Sequence, residues 1–280
     1  MSAKKCIPHE SYADQLIAEF DARRHELEGR WVPTLYFGGG TPSLLAVEQL
    51  RRVVRHCWRG ELEEVTIEAN PADIDARRLD AWADMGITRV SLGVQSFQGR
   101  MLRALGRNHD AQRAWGAART LSEDGRFRTS IDLIFGGPHH TLEEWEADLD
   151  CVAALEGLEH VSTYTLTVEP NTPFFRLHER GQLHPAREDV AARMFDVMEE
   201  RLGALGFERY EVSSFARGER ARSMHNTTYW LGAEYMGLGV GAHSLFIGAG
   251  GVERRVNTRH VSAYLGDFTL GSAVEELGAE

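Results

Sequence analysis

The sequence lacks several features that would indicate particular classes of protein. Its formal net charge is −11, so it has little of the basic surface with which nucleic-acid-binding proteins neutralise phosphates. No apolar run reaches the length of a membrane span, and the N-terminal MSAKKCIPHE contains no signal-peptide core. We therefore expect a cytoplasmic protein with no membrane span and no nucleic-acid partner.

Cysteine is also scarce. The three cysteines, Cys6, Cys57 and Cys151, lie far apart, and no CxxC or CxxxC spacing occurs. Such spacings are typical of zinc sites, and secreted disulfide-rich proteins need paired cysteines. The sequence therefore predicts no metal ligands and no disulfide framework, and we interpret Cys57 and Cys151 as small core residues in helices.

Short apolar runs alternate with amphipathic segments along the 280 residues. The apolar runs predict strands near residues 34–38, 65–69, 89–95, 129–135 and 161–168. The segments between them have the length and periodicity of helices. Strands separated by such helices form βαβ units, so the sequence predicts an α/β fold with a parallel sheet.

The segment Thr34–Pro42, TLYFGGGTP, is the most informative local motif. Three glycines follow a strand-like apolar run, and Thr41-Pro42 is typical of a helix start. Glycines carry no side chain, so a ligand can lie directly against the backbone N–H and C=O groups. A plain glycine-rich turn is the alternative, and the spacing does not name a ligand.

Three polar residues, Glu68, Gln95 and Asp132, lie in or at the ends of predicted strands among apolar neighbours. In parallel α/β folds the C-terminal strand ends form the ligand-binding face. We therefore expect these residues to converge with Gly38–Thr41 on one side of the sheet. For each one alone a structural role is the favoured interpretation, and it is their occurrence on successive strands that indicates a ligand site.

Seven motifs occur in a recognisable order: YFGGGTPSLL, IEANP, SLGVQSF, LGRNH, DLIFGGP, YTLTVEPNTPF and HNTTYW. Together they resemble the HemW/HemN group of radical S-adenosylmethionine proteins over roughly residues 7–265. The HemW branch, a branch of haem chaperones, is the closer resemblance, because HNTTY is similar to the HNxxY segment associated with haem binding there. The alternative branch is the oxygen-independent coproporphyrinogen III oxidase.

The resemblance implies a partial TIM barrel of βα units with S-adenosylmethionine across the strand ends. We expect residues 1–215 to form this partial barrel. Residues 216–280 are expected to form a C-terminal extension of the barrel that carries the HNxxY segment.

The resemblance also implies roles for individual residues. The implied S-adenosylmethionine-binding residues are Gly39, Gly40, Thr41, Glu68, Gln95, Arg107 and Asp132. Within this set, the glycine segment contacts the methionine end of the cofactor, and the Arg107 guanidinium pairs with the cofactor carboxylate.

The implied haem-binding residues are His225, Asn226 and Tyr229. A neutral imidazole is a good axial ligand to haem iron, and Tyr229 shares a face with His225 if the segment is helical. A purely structural histidine is the alternative. The implied partners are haem or porphyrin, together with haem-accepting proteins.

One defining motif of the family, CxxxCxxC, is missing from the sequence. In the family its thiolates hold a four-iron four-sulfur cluster, and Cys6 does not match such a ligand. IPHESYADQLIAEF resembles the segment that follows these cysteines, so we expect the motif and the first barrel strand to precede Met1. Three hypotheses stay open: a radical enzyme in a longer form, a haem-binding chaperone, and a truncated inactive remnant. Catalytic residues are not predicted.

Overall fold

A computed structural model describes residues 8–58, 60–170, 172–248, 251–269 and 271–277, so Cys6 lies outside the described residues. The strands are β1 (Thr34–Phe37), β2 (Glu64–Ala69), β3 (Arg89–Gln95), β4 (Arg128–Phe135), β5 (His160–Thr165), β6 (Glu208–Arg209), β7 (Ser214–Ala216), β8 (His243–Gly248), β9 (Gly251–Val256) and β10 (Ala273–Leu277). The helices are α1 (His9–Arg23), α2 (Val47–Cys57), α3 (Ala76–Asp84), α4 (Gly99–Ala104), α5 (Ala111–Asp124), α6 (Leu142–Ala153), α7 (Pro173–Glu179), α8 (Glu188–Ala204), α9 (Met224–Trp230) and α10 (Val261–Gly266).

The chain forms two compact units. Unit 1 consists of the described parts of Met1–Tyr36, Leu44–Glu64 and Met224–Glu280, and unit 2 of those of Phe37–Ser43 and Val65–Ser223. The division at residue 215 that the family resemblance implies stays a prediction.

Unit 2 contains the sheet that the sequence predicts. Its strands lie in the order β2-β3-β4-β5-β7-β6. The neighbours from β2 to β5 pair in parallel, which confirms the α/β prediction. The two short strands β7 and β6 then add to β5 in antiparallel orientation, and the sequence did not predict them.

The strands of this sheet divide their side chains between a core face and a face that stays partly exposed. On β3, Val90, Leu92 and Val94 are fully buried. The alternate residues Ser91, Gly93 and Gln95 are only half-buried. Successive strand residues point to opposite faces, so the second face of β3 is the one on which polar groups can meet a ligand.

Four helices of unit 2 begin where the sequence provides side-chain caps. Asp75, Asp110, Thr141 and Thr172 each accept a hydrogen bond from a backbone N–H in the first turn of α3, α5, α6 and α7. Such caps satisfy donors that have no partner within the helix. The positions of these helices are therefore encoded locally.

Unit 1 contains an antiparallel sheet in the order β10-β9-β8, which the sequence did not predict. The fully buried Glu19 of α1 holds the unit together. Its carboxylate accepts hydrogen bonds from Arg23 Nη1 (3.1 Å), Asn257 Nδ2 (2.7 Å), Gly239 N (2.8 Å) and Tyr264 Oη (2.8 Å). A buried carboxylate needs hydrogen bonds such as these, because they replace the hydration that it loses on folding.

Two local predictions need correction. Thr41-Pro42 does not start a regular helix: Thr41 has φ 122°, Pro42–Leu44 form one 3-10 turn, and α2 begins at Val47. Cys57 is buried as predicted, but Cys151 is only half-buried.

No helix among the described residues is long and apolar enough to cross a membrane.

Candidate functional site

A row of polar side chains crosses the parallel strands of unit 2. Glu68 of β2 pairs in register with Ser91 of β3, and Asp132 of β4 pairs with Ser162 of β5. The Ser91 hydroxyl connects the two pairs, because its Oγ lies 3.1 Å from both carboxylate oxygens of Asp132 and donates to them. We call these four residues the polar row.

Asp132 has strongly perturbed electrostatics. Burial raises the pKa of Asp132 to about 7, donation from Ser91 and Ser162 and the charge of Arg107 oppose that rise, and the charge of Glu68 adds to it. No ion pair to Asp132 occurs among the described residues. Asp132 therefore titrates near neutral pH and interacts favourably with a cationic or hydrogen-bond-donating ligand.

The glycine segment, residues 38–40, contacts the polar row at Glu68. The Gly39 N–H donates to Glu68 Oε2 at 3.0 Å, and Gly39 adopts φ 97°. A Cβ atom added at Gly39 or Gly40 would have no neighbour within 4 Å. The backbone of this segment is therefore open to a ligand, as the sequence suggested.

Gln95 is placed by an irregularity in β3. The register with β4 shifts between Leu92 and Gln95, and Gln95 adopts φ 69°. A Cβ atom added at Gly93 would lie 2.8 Å from Gln95 Nε2 and 3.7 Å from the Ala69 carbonyl oxygen. Gly93 thus leaves room for the Gln95 side chain beside the end of β2.

Arg107 lies in the turn after α4 and is exposed. The chain around its guanidinium removes part of the hydration and so lowers the pKa of Arg107, and the charge of Asp132 raises it. Its side chain makes no hydrogen bond or ion pair to another described residue. A guanidinium in this situation can bind a ligand carboxylate.

Backbone strain follows the same strand ends. Within the described ranges, the non-glycine residues with positive φ are Thr41 (122°), Gln95 (69°) and His139 (55°). They follow or end β1, β3 and β4 respectively. Such conformations cost about 1–3 kcal/mol each and tend to cluster where a ligand is bound.

The remaining predicted residues, His225, Asn226 and Tyr229, lie in α9 of unit 1. The buried Glu64 satisfies the start of this helix: its Oε1 accepts from His225 N at 3.0 Å and its Oε2 from Met224 N at 3.2 Å. A carboxylate at a helix N-terminus is favoured by the unpaired N–H groups there. Asn226 is half-buried in the middle of the helix.

The His225 ring is held on three sides. Its Nδ1 lies 3.0 Å from Thr34 Oγ1. It stacks on Tyr36, with ring centroids 4.4 Å apart and an interplanar angle of 12°, and meets Tyr229 edge-on at 5.0 Å. The helix therefore puts His225 and Tyr229 on one face, as the sequence predicted for a helical segment.

Burial lowers the pKa of His225 to about 4, and the charge of Glu64 opposes the shift. The imidazole is therefore neutral at pH 7, which is the state that binds metal ions. Tyr229, whose ring meets it edge-on, is 47% exposed. A neutral imidazole beside an exposed aromatic side chain matches the chemistry of an iron porphyrin.

The two cofactors of the family fit this chain differently. The open glycine backbone, the carboxylates of the polar row and the Arg107 guanidinium match the polar groups of S-adenosylmethionine. The iron–sulfur cluster does not fit, because the described cysteines, Cys57 and Cys151, are buried and half-buried single thiols in different units. No group of three metal-binding side chains occurs in the described chain.

Sequence reasoning missed Ser91, Thr34 and Glu64. Ser91 was detectable, because it lies on the same face of its strand as Gln95, four residues away. Thr34 and Glu64 carried no sequence signal, because they meet His225 across 191 and 161 residues.

Comparison with known proteins identifies relatives. The model of the radical SAM superfamily matches residues 8–152. "Heme chaperone HemW" of Bacillus subtilis is 36% identical over 237 residues, which are 83% of this chain and 61% of the relative. The protein of that name from Mycobacterium tuberculosis (H37Rv) is 38% identical over 274 residues, 95% of this chain and 68% of the relative. The chain spans 61% and 63% of the relatives from Bacillus subtilis and Lactococcus lactis.

A solved structure gives the same result for the fold. Coproporphyrinogen III oxidase (HemN) from Escherichia coli, described as a radical SAM enzyme, matches with a TM-score of 0.78 over 98% of this chain and 65% of that chain. At 23% identity this likeness concerns the fold alone. Taken with the sequence relatives, it places the chain in the HemW/HemN family of radical SAM proteins.

Proposed function

We propose that this chain is a haem-binding protein of the HemW type in which α9 presents His225 to haem iron. The observation that carries the proposal is the setting of that side chain, which Thr34, Tyr36 and Tyr229 hold on three sides. Burial lowers the pKa of His225 to about 4, so its imidazole is neutral at pH 7. The names of the relatives from Bacillus subtilis and Mycobacterium tuberculosis, both heme chaperone HemW, support the same function.

The surroundings of His225 support a flat apolar ligand. Tyr229, which meets the histidine ring edge-on, exposes 47% of its surface, and the next two residues in the chain, Trp230 and Leu231, expose 59% and 78%. Large apolar side chains in water are otherwise unfavourable, and clusters of them mark binding surfaces. A porphyrin whose iron meets the imidazole would cover Tyr229. A haem-accepting protein is the partner that this function requires.

We further propose that the strand ends of unit 2 bind S-adenosylmethionine. The cofactor carries a carboxylate, an ammonium group and ribose hydroxyls. Arg107 would bind the carboxylate, and Glu68 and Asp132 would accept from the ammonium and hydroxyl groups. The backbone at Gly39 and Gly40 has the space for its methionine end. Since no cluster ligands fit in this chain, no reaction of the cofactor is proposed.

A haem titration tests the first proposal. Wild-type protein should bind ferric haem with a Soret band typical of imidazole ligation, and His225→Ala should lose that band and bind at least about tenfold more weakly, because the iron loses its protein ligand. Absorbance during titration measures both.

His260→Ala is the matched control, because His260 is an exposed histidine of the same unit. This variant should titrate like the wild type. An unchanged Soret band and affinity in His225→Ala would rule out His225 as the ligand. That result would favour a porphyrinogen-oxidising protein or a structural role for HNTTY.

A further inference from the structure

We propose that Thr34 is a positioning residue for His225: its hydroxyl accepts a hydrogen bond from the Nδ1–H and thereby leaves Nε2 as the ring nitrogen that binds iron. This inference rests on the haem function proposed above. It adds the identity of the ligating atom and a residue, at the start of β1, that selects it.

The contact itself allows two arrangements. Thr34 Oγ1 lies 3.0 Å from Nδ1, and a hydroxyl can accept from Nδ1–H or donate to an unprotonated Nδ1. In the second arrangement the proton sits on Nε2, which then cannot bind iron. The tautomer of His225 therefore decides whether the ring can act as a ligand.

Glu64 favours the first arrangement. Its carboxylate accepts the backbone N–H groups of Met224 and His225, so a negative charge lies beside the backbone of the histidine. Nδ1 is the ring nitrogen nearer to that backbone, and a negative potential stabilises a proton most at the nearer nitrogen. Glu64 thus favours the proton on Nδ1, and Thr34 provides its acceptor.

The position of Thr34 relative to Glu64 is itself fixed within unit 1. The backbone N–H groups of Glu63 and Glu64 both donate to the Pro33 carbonyl, at 2.9 and 3.2 Å. Pro33 directly precedes Thr34, so backbone hydrogen bonds join Glu64 to the residue next to Thr34.

Aromatic neighbours fix the ring plane. His225 stacks on Tyr36 at 4.4 Å, and Tyr229 meets its edge at 5.0 Å. Tyr229 is itself supported by Tyr235 at 4.6 Å. The stack holds the plane, and the Thr34 hydrogen bond selects which edge of the ring faces β1. A fixed ring with one defined free nitrogen is how proteins prepare a histidine ligand.

The test compares Thr34→Val, which keeps the β-branched shape and removes the hydroxyl, with Thr34→Ser, which keeps the hydroxyl. Long-range ¹⁵N–¹H NMR spectra of the haem-free protein report the tautomer of each histidine ring, and the signal missing from His225→Gln assigns His225. We expect the Nδ1–H tautomer in the wild type and Thr34→Ser, and a shift toward Nε2–H in Thr34→Val. A merely structural threonine would leave the tautomer unchanged.

Haem titration of the same variants supplies the second readout. Thr34→Val should bind haem about tenfold more weakly, and Thr34→Ser should restore the affinity. An Nε2–H tautomer in the wild type, or an unchanged tautomer in Thr34→Val, would overturn the inference. If the wild type does not bind haem while the tautomers behave as stated, the positioning by Thr34 stands and the haem function fails.

Discussion

Asp132 is a residue whose charge is strongly opposed by its position in the fold. Burial raises its pKa to about 7, whereas an aspartate in an unfolded chain titrates near about 4. Between these values the native state binds more protons than the unfolded state, so the free energy of unfolding falls as pH rises. Above pH 7 Asp132 is ionised in both states, and its burial lowers the free energy of unfolding by the full amount.

Asp132→Asn should therefore stabilise the protein at high pH. An amide is close in shape to the protonated carboxyl and cannot ionise. We expect a gain of about 2 kcal/mol in the free energy of unfolding at pH 8 and little difference at pH 4. Urea unfolding measured across this pH range provides the comparison. A wild-type-to-variant difference that stays constant between pH 4 and pH 8 would contradict the assignment.

At the scale of elements, α6 holds the turn that follows β3. The fully buried Asp148 of α6 accepts hydrogen bonds from Ser96 Oγ at 2.7 Å, Phe97 N at 2.8 Å and Gln98 Nε2 at 3.0 Å. Burial raises the pKa of Asp148 to about 6, and these donors oppose the rise. The turn directly follows the strained Gln95, so α6 supports the geometry of the candidate S-adenosylmethionine site.

Asp148→Ala should be strongly destabilising, because it leaves three donors without an acceptor in the interior. We expect a loss of about 3 kcal/mol in the free energy of unfolding. Asp150→Ala is the matched control: Asp150 lies on the same helix, is exposed and, among the residues that the structure describes, forms its ion pair with Arg201 at the surface. Its removal should cost less than about 1 kcal/mol. Equal losses in chemical denaturation would refute a special role for Asp148.

At the scale of the whole molecule, S-adenosylmethionine should bind weakly. The strand ends of unit 2 offer hydrogen bonds and charge, but the chain has no cysteine set for a cluster that would chelate the cofactor. We expect calorimetry to give a dissociation constant of about 1 mM or weaker. Iron and sulfide analysis after anaerobic reconstitution should find no stoichiometric cluster.

Tight binding in the calorimeter, below about 10 μM, would contradict this expectation. It would mean that the polar row, the glycine segment and Arg107 suffice. Arg107→Ala would then have to weaken binding, whereas Arg103→Ala, an exposed arginine of the neighbouring α4, would leave it unchanged.

The sequence by itself determined the parallel strands of unit 2, the starts of the helices α3, α5 and α6, and the open glycine segment. These features depend on short-range periodicity, on caps such as Asp75 and Asp110, and on glycines that exclude side chains. Each is decided by residues within one or two turns of chain, and for that reason the local pattern could predict them. The polar residues Glu68 and Asp132 were recognisable in the same way, as exceptions in apolar strands.

Tertiary structure alone decided which groups act on one another. Ser91 reaches Asp132 across 41 residues, and Thr34 reaches His225 across 191. Such pairs depend on strand register and on the ring orientation set by packing, which no local pattern encodes. The same holds for the pKa of Asp132 and of His225, because burial is a property of the folded chain. The sequence named the histidine, and only the fold placed the Thr34 hydroxyl 3.0 Å from its Nδ1.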